Sequence, residues 1–220
     1  MKILITTGIF EPELGGPATL GKGLAVRLSA LGHEITVITY AAEERFGFDS
    51  EFPFKIRRIV RSSKLLNYLR FFSLTYKECK WHDLVYSLDW FSAGMPALAA
   101  AKLRRKKFVV RVGGGYIWEK YLLSGRPPMP LREFYEKGLH KEYPLMFLLI
   151  KWVLRGAHVV IFNSGEQKIL YQKYYGLDPN RTTTITNPRP EPFSGISRNL
   201  NAITREIVFA GRYITMKNVE

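Results

Sequence analysis

The chain has 220 residues, 33 of them Lys or Arg against 19 Asp or Glu, a formal net charge of +14. Its hydrophobic fraction of 46% and aromatic fraction of 14% exclude a disordered or low-complexity polypeptide. The single Cys79 excludes an intramolecular disulfide or a cysteine metal cluster and suits a reducing compartment. No apolar stretch approaches the roughly 20 residues needed to cross a bilayer, and MKILITTGIF lacks the features of a secretory signal, so the cytoplasm is the expected location. The basic excess calls for an acidic partner: anionic lipid headgroups, phosphorylated small molecules or nucleic acid.

The first 40 residues read as strand, glycine-bearing loop, helix, strand. Ile3, Leu4 and Ile5 with Thr6 and Thr7 form a short, nearly continuous β-branched and apolar run stopped by Gly8, as in a strand buried on both faces. Leu20, Leu24, Leu28 and Leu31 draw one apolar stripe down a helix that Gly32 ends, and Glu34 to Tyr40 supplies the second strand of a βαβ unit. Gly15 and Gly16 fall between strand and helix, where amides point outward unpaired, and a glycine pair there is free to adopt positive φ and admit an anion. A Gly-Gly pair alone specifies a tight turn equally well. The spacing Gly15, Gly16, Gly21 does not match G-x-G-x-x-G, and no acid closes the second strand, which argues against a nicotinamide enzyme.

Phe54 to Val60 predicts a third strand toward a sheet edge with its basic residues outward. Ser62 or Ser63 caps a helix to Lys80 in which Leu65, Tyr68, Leu69, Phe72 and Tyr76 share one side. This basic amphipathic helix reads as packed on the sheet, with a membrane-surface role as the alternative. Asp83 to Ser87 is the fourth strand, Ser92 to Arg104 the next helix, and Phe108 to Val112 the fifth strand. That strand delivers Gly113-Gly114-Gly115 and Tyr116-Ile117-Trp118-Glu119 to the same carboxyl edge as Gly15 and Gly16, so two glycine-bearing loops outline a cleft. Tyr116 and Trp118 are offered as core packing first and sugar stacking second.

GRPPMP at 125–130 interrupts the chain before helices over Leu131 to Arg155, separated at Pro144; the apolar run from Pro144 to Leu154 reads as buried or interfacial. Ala157 to Phe162 is the sixth strand, Ser164 and Gln167 form a capping box for a helix that Gly176 stops, and Thr182 to Thr186 is the seventh strand. Ser194 to Arg205 has linker character, after which Glu206 to Ala210 starts a new buried strand followed by Gly211-Arg212. The expected organisation is a domain at 1–193, a linker at 194–205 and, at 206–220, the first strand of a second domain cut short.

These segments carry a resemblance. The run from Lys2 through Gly15-Gly16 to Val37 resembles the amino-terminal domain of GT-B glycosyltransferases of the family 4 (group 1) type. Lys107 to Gly114, Gly156 to Ile161 with Asn163-Ser164, Thr184 to Pro188, and Ile207 to Lys217 with its G-R-x(4)-K pattern match the family in order across the whole chain. The resemblance implies an α/β, Rossmann-like, doubly wound and mostly parallel seven-stranded sheet with a truncated second Rossmann-like domain. It further implies retaining transfer of a sugar from a nucleotide-sugar donor to a glycan or lipid-linked acceptor at the cytoplasmic membrane face, by a hexosyltransferase-type enzyme of which this chain is the acceptor-side part, inactive alone.

Under that resemblance Gly15, Gly16, Arg212 and Lys217 hold the donor diphosphate, and Gly114, Gly115, Tyr116 and Glu119 contact acceptor or sugar. No catalytic residue is assigned. No cofactor or metal is expected, because cations and amides can stabilise a leaving diphosphate. Anionic lipid is admitted as a further partner, and nucleic acid is not expected, since no recognised binding module occurs. One departure stands out: where the family commonly has a histidine after strand five, and a related subset Gly-Asp before Tyr-x-Trp-Glu, this chain has Gly114-Gly115. That favours, as the alternative, a carbohydrate- or lipid-binding protein that kept the fold without catalysis.

Overall fold

Alternate residues of the first strand go to opposite faces of one sheet. Ile3 and Ile5 join Ile35, Val37, Phe54 and Leu88 in one buried cluster, whereas Leu4 joins Ile38, Val85, Val110 and Val160 in the other. The computed structural model describes residues 1–188, and within them seven strands form this sheet: β1 (Lys2–Thr7), β2 (Glu34–Ala41), β3 (Lys55–Val60), β4 (Leu84–Ser87), β5 (Lys107–Val112), β6 (Val159–Phe162) and β7 (Thr182–Thr184). Their order is β3-β2-β1-β4-β5-β6-β7, and every neighbouring pair is parallel. The expectation of a mostly parallel sheet is therefore met by a wholly parallel one among the described residues. The linker expected at 194–205 and the strand expected within 206–220 lie outside them.

The first face is covered by α1 (Gly16–Ala30), whose Leu20, Leu24 and Leu28 pack on the smaller cluster. Leu31, the last of the expected stripe, is 73% exposed, because the helix has already ended and Gly32 turns the chain at φ 81°. The second face is covered by α2 (Lys64–Glu78), α3 (Gly94–Leu103), α6 (Pro144–Gly156) and α7 (Gly165–Tyr175), with α4 (Tyr116–Leu122) and α5 (Leu131–Glu136) filling the insertion before α6. Beneath α5 to α7 a cluster of Tyr135, Tyr171, Tyr175, His140 and Phe147 is packed ring on ring, and burial pushes the phenols of all three tyrosines far up.

Four readings of the sequence change. The helix α2 turns inward not the stripe Leu65, Leu69 and Phe72 but Phe71 and Thr75, which are fully buried; Leu65 and Leu69 are 70% and 55% exposed. It packs against α3 as well as the sheet, and that crevice takes the side bearing Phe71. Its cap is also different: Ser63 makes no side-chain cap, and the Asn67 amide instead pairs with the backbone N–H and carbonyl of Ser62. The capping box at α7 is half formed, since Ser164 Oγ accepts from Gln167 N but the Gln167 side chain is drawn away to the Gly114 carbonyl.

The fourth change is on the edge strand β3, where Arg58 points inward instead of out. Its side chain is fully buried, donates from Nε and Nη2 to the two carboxylate oxygens of Asp49 at 2.8 and 2.6 Å, and donates from Nη2 to the Glu11 carbonyl at 2.7 Å. The Phe46 ring lies 4.6 Å from the guanidinium. The hydrogen bonds from Arg58 hold the Asp49 carboxyl below its ordinary range. Replacing Asp49 by Asn leaves a buried cation without its counter-charge, which costs on the order of 3 kcal/mol. Urea unfolding at pH 7 is expected to show that loss. Because the Asp49 pKa is depressed on folding, its contribution is present above about pH 3.8 and fades as pH falls further, so wild type and Asp49→Asn converge in stability in that acid range.

Candidate functional site

All seven strands deliver their carboxyl ends to one edge, and the winding direction reverses between β1 and β4, where a crevice must open. A cleft of about 600 Å³ occupies that position. Gly16 at the start of α1 and Gly113 and Gly114 after β5 both line it, so the two glycine-bearing loops meet as expected.

The first corner differs in detail from the reading of the sequence. Gly15 is extended at φ 162° and Gly16 is already helical, so neither uses the left-handed region. The reversal is made earlier, by a turn closed by Glu13 N donating to the Phe10 carbonyl. A Cβ on Gly16 would meet nothing within 4 Å, so what glycine provides there is open approach to the helix terminus. The helical ladder starts with Thr19 N donating to the Gly15 carbonyl, Gly15 contributes no side-chain cap, and Pro17 has no N–H. The amides of Gly16 and Ala18 are thereby left as the donors of the first turn, at the positive end of the helix dipole. The loop is held from β3: Arg58 fixes Glu11, and Arg61 pairs with Glu13 at 2.8 Å and donates to the Gly8 carbonyl at 3.3 Å.

The second corner is fixed by side chains from β6 and α7. Asn163 Nδ2 donates to the Gly113 carbonyl at 3.1 Å, and Gln167 Nε2 and the Tyr171 hydroxyl both donate to the Gly114 carbonyl. The Glu119 carboxylate accepts from Gly115 N at 3.1 Å and lies directly over Gly114, where a Cβ would collide with it. A Cβ on Gly115 would come within 2.9 Å of Leu131. A side chain at 114 or 115 would have to displace the Glu119 carboxylate or the tip of Leu131. Tyr116 is stacked on Phe91 at 4.4 Å, edge-on to Trp90, and lines the cleft, while Trp118 donates from Nε1 to the Met129 carbonyl and belongs to the core.

Of the charged residues lining the cleft, Arg61, Lys64, Asp89 and Arg111 were not assigned to it in the sequence. Asp89, two residues past β4, accepts from the N–H groups of Phe91, Ser92 and Ala93 and from Ser92 Oγ, and so shapes the loop that leads to α3. It is brought against β1, since a Cβ on Gly8 would lie 2.6 Å from its Oδ2. Burial, then the Asp89 charge, push the Tyr68 phenol up to about 12, and the same two causes raise Tyr116. Arg111 of β5 is 4% exposed and reaches the cleft wall. Lys64, Asn67 and Tyr68 from α2 close the far side. None of His33, His82, His140 and His158 lines the cleft. Arg212 and Lys217, assigned to the diphosphate in the sequence, lie outside the described residues.

Comparison with solved structures gives the same architecture. Alr3699/HepE of Anabaena, solved with UDP, aligns at 15% identity and a TM-score of 0.57 over 85% of this chain and 44% of its own. A glycosyltransferase from Rickettsia africae aligns at 18% identity and 0.53, over 84% and 43%. A putative UDP-N-acetylglucosamine 2-epimerase from Listeria monocytogenes aligns at 16% and 0.54, over 83% and 44%. At such identities the likeness concerns the fold, which transferases and epimerases share. The chain spans less than half the length of these structures. No curated protein matches it by sequence. The profile of glycosyltransferase family 4 matches residues 14–189, a span that holds both glycine corners and nearly the whole sheet, and the chain belongs to that family.

Proposed function

We propose that the chain is the acceptor-side half of a retaining nucleotide-sugar glycosyltransferase that extends a glycan or lipid-linked acceptor at the cytoplasmic membrane face. The observation that carries the reading is the convergence of an uncapped helix terminus and a braced glycine loop on one crevice at the winding reversal. Cleavage of the anomeric C–O bond leaves negative charge on a nucleoside diphosphate. Amides of Gly16 and Ala18 aimed at that charge stabilise it more in the transition state than in the bound donor. In this reading Arg212 and Lys217 arrive from the second domain to complete the same diphosphate site, and the leaving phosphate takes the acceptor proton. Gly114, Gly115, Tyr116 and Glu119 then face the acceptor, Glu119 through its hydrogen bond to Gly115 as positioner of the loop.

Support for a membrane-facing acceptor comes from two exposed apolar faces, of which the one on α2 adjoins the cleft. The exposed Leu65, Leu66 and Leu69 of α2 neighbour the cleft residues Lys64, Asn67 and Tyr68, with Arg70 alongside. On α6, exposed Leu145, Leu148 and Trp152 share a face with Lys151 and Arg155. Apolar side chains fringed by cations match an anionic lipid interface.

Gly16→Leu tests the donor site without disturbing the fold, because its side chain enters open space. Its melting temperature is expected to equal that of wild type while UDP binding, followed by calorimetry, weakens at least tenfold. Equal UDP affinity in the two proteins would exclude α1 from the diphosphate site. For the membrane face, the double change Leu65→Ser and Leu69→Ser is expected to lower binding to vesicles containing anionic lipid by roughly two to four powers of ten, since about 1.5–3 kcal/mol of burial is lost per leucine and about 3–6 kcal/mol for the pair. Sedimentation with vesicles measures this. If a longer chain carrying the second domain consumes no nucleotide sugar across a donor panel, a non-catalytic carbohydrate- or lipid-binding role replaces the transferase reading.

A further inference from the structure

Arg111 is a buried cation in want of an anion. Its side chain leaves β5, crosses β6 and uses Nη2 to donate to the Ile185 carbonyl at 2.7 Å and to Asn187 Oδ1 at 2.9 Å, both neutral acceptors. Among the described residues its buried Nε has no hydrogen-bond partner and no carboxylate forms an ion pair with it. The two acids of the cleft are engaged elsewhere, Asp89 by the loop before α3 and Glu119 by Gly115. Tyr86 stands beside Arg111: burial pushes its phenol up, and the guanidinium opposes that shift. A charge taken out of water without a counter-charge is unfavourable, so a site that keeps one is suited to receive it from a ligand.

A second orphan lies at the end of the neighbouring strand. Asn163 donates through Nδ2 to the Gly113 carbonyl, which fixes the orientation of its amide and leaves Oδ1 buried without a donor among the described residues. Both residues line the cleft. An unpaired cationic donor and an unpaired neutral acceptor on adjacent strands complement a ligand that bears an oxyanion and a hydroxyl. This point is distinct from the helix terminus: β5 is two strands away from β1, about 10 Å at the usual spacing of parallel strands.

We infer that Arg111 and Asn163 form an acceptor subsite for a sugar substituted with phosphate or carboxylate, Arg111 holding the oxyanion and Asn163 a sugar hydroxyl. The inference rests on the transferase reading in assigning the ligand to the acceptor; the subsite itself does not depend on it.

Calorimetric titration of the 220-residue chain with glucose 1-phosphate, glucuronate and glucose tests it. Wild type is expected to bind at least one of the two anions tenfold or more tighter than glucose, and which one binds distinguishes phosphate from carboxylate. Arg111→Gln is expected to reduce anion affinity to the level of glucose, and Arg111→Lys to restore part of it. Should Arg111→Gln fail to fold, Asn163→Asp decides, since a carboxylate placed beside a retained Arg111 must weaken anion binding at least tenfold. Anion binding no tighter than that of glucose in wild type, or undiminished in folded Arg111→Gln or in Asn163→Asp, overturns the subsite. UDP titrated in parallel separates the two proposals: lost UDP binding with retained anion binding counts against the transferase reading alone.

Discussion

The constraint on which the rest depends is that a wholly parallel sheet puts every strand's carboxyl end on one edge, so no loop on that edge can be a tight hairpin. Among the described residues β1, β3, β4, β5 and β6 each lead into an α-helix, whose start brings unpaired amides with it. Where successive connections go the same way round, the helices close over the edge. Between β1 and β4 the winding reverses, α1 and α3 diverge to opposite faces, and the gap between them is the cleft. The site is therefore a property of strand order before it is a property of any side chain, and the side chains then decide what the gap accepts.

That gap would be useless if its rims moved. The rim at β1 is held from the sheet edge by Arg58 and Arg61, which reach back to Glu11, Glu13 and Gly8, and the rim at β5 is held from the opposite side by Asn163, Gln167 and Tyr171. The two sets act differently. Arg58 works through a buried ion pair in which each partner is costly without the other, whereas the amide and phenol donors work through neutral hydrogen bonds that tolerate the approach of a ligand. Among the described residues, Arg111 is the buried cation of the cleft without an acid of its own.

The seven strands and the meeting of the glycine loops were legible in the sequence because a strand buried on both faces must be a short run of β-branched and apolar residues, a pattern few alternatives mimic. The inward face of α2 was not. Its residues offer two stripes rotated by about one residue, one rich in leucine and one built on Phe71 and Thr75 and continued by Cys79. Hydrophobicity favours the first, but packing against α3 selects the second. Arg58 misled for a related reason, since an arginine in a strand reads as a solvent-facing residue until its partners, remote in sequence, are known. Asp89 resembled an ordinary loop acid, and only the four donors gathered around it reveal its task.

The stacking of Tyr116 between Phe91 and the edge of Trp90 has an optical consequence. Trp90 is 6% exposed whereas Trp81 and Trp152 are 64% and 42% exposed, so its indole emits from a dry environment that an aqueous quencher does not reach. Because that indole shares the cleft wall with Tyr116, displacement of the tyrosine ring changes the emission of one of two sheltered indoles, the other being Trp118 in the core. The aromatic wall makes the protein its own reporter of occupancy, with no label attached.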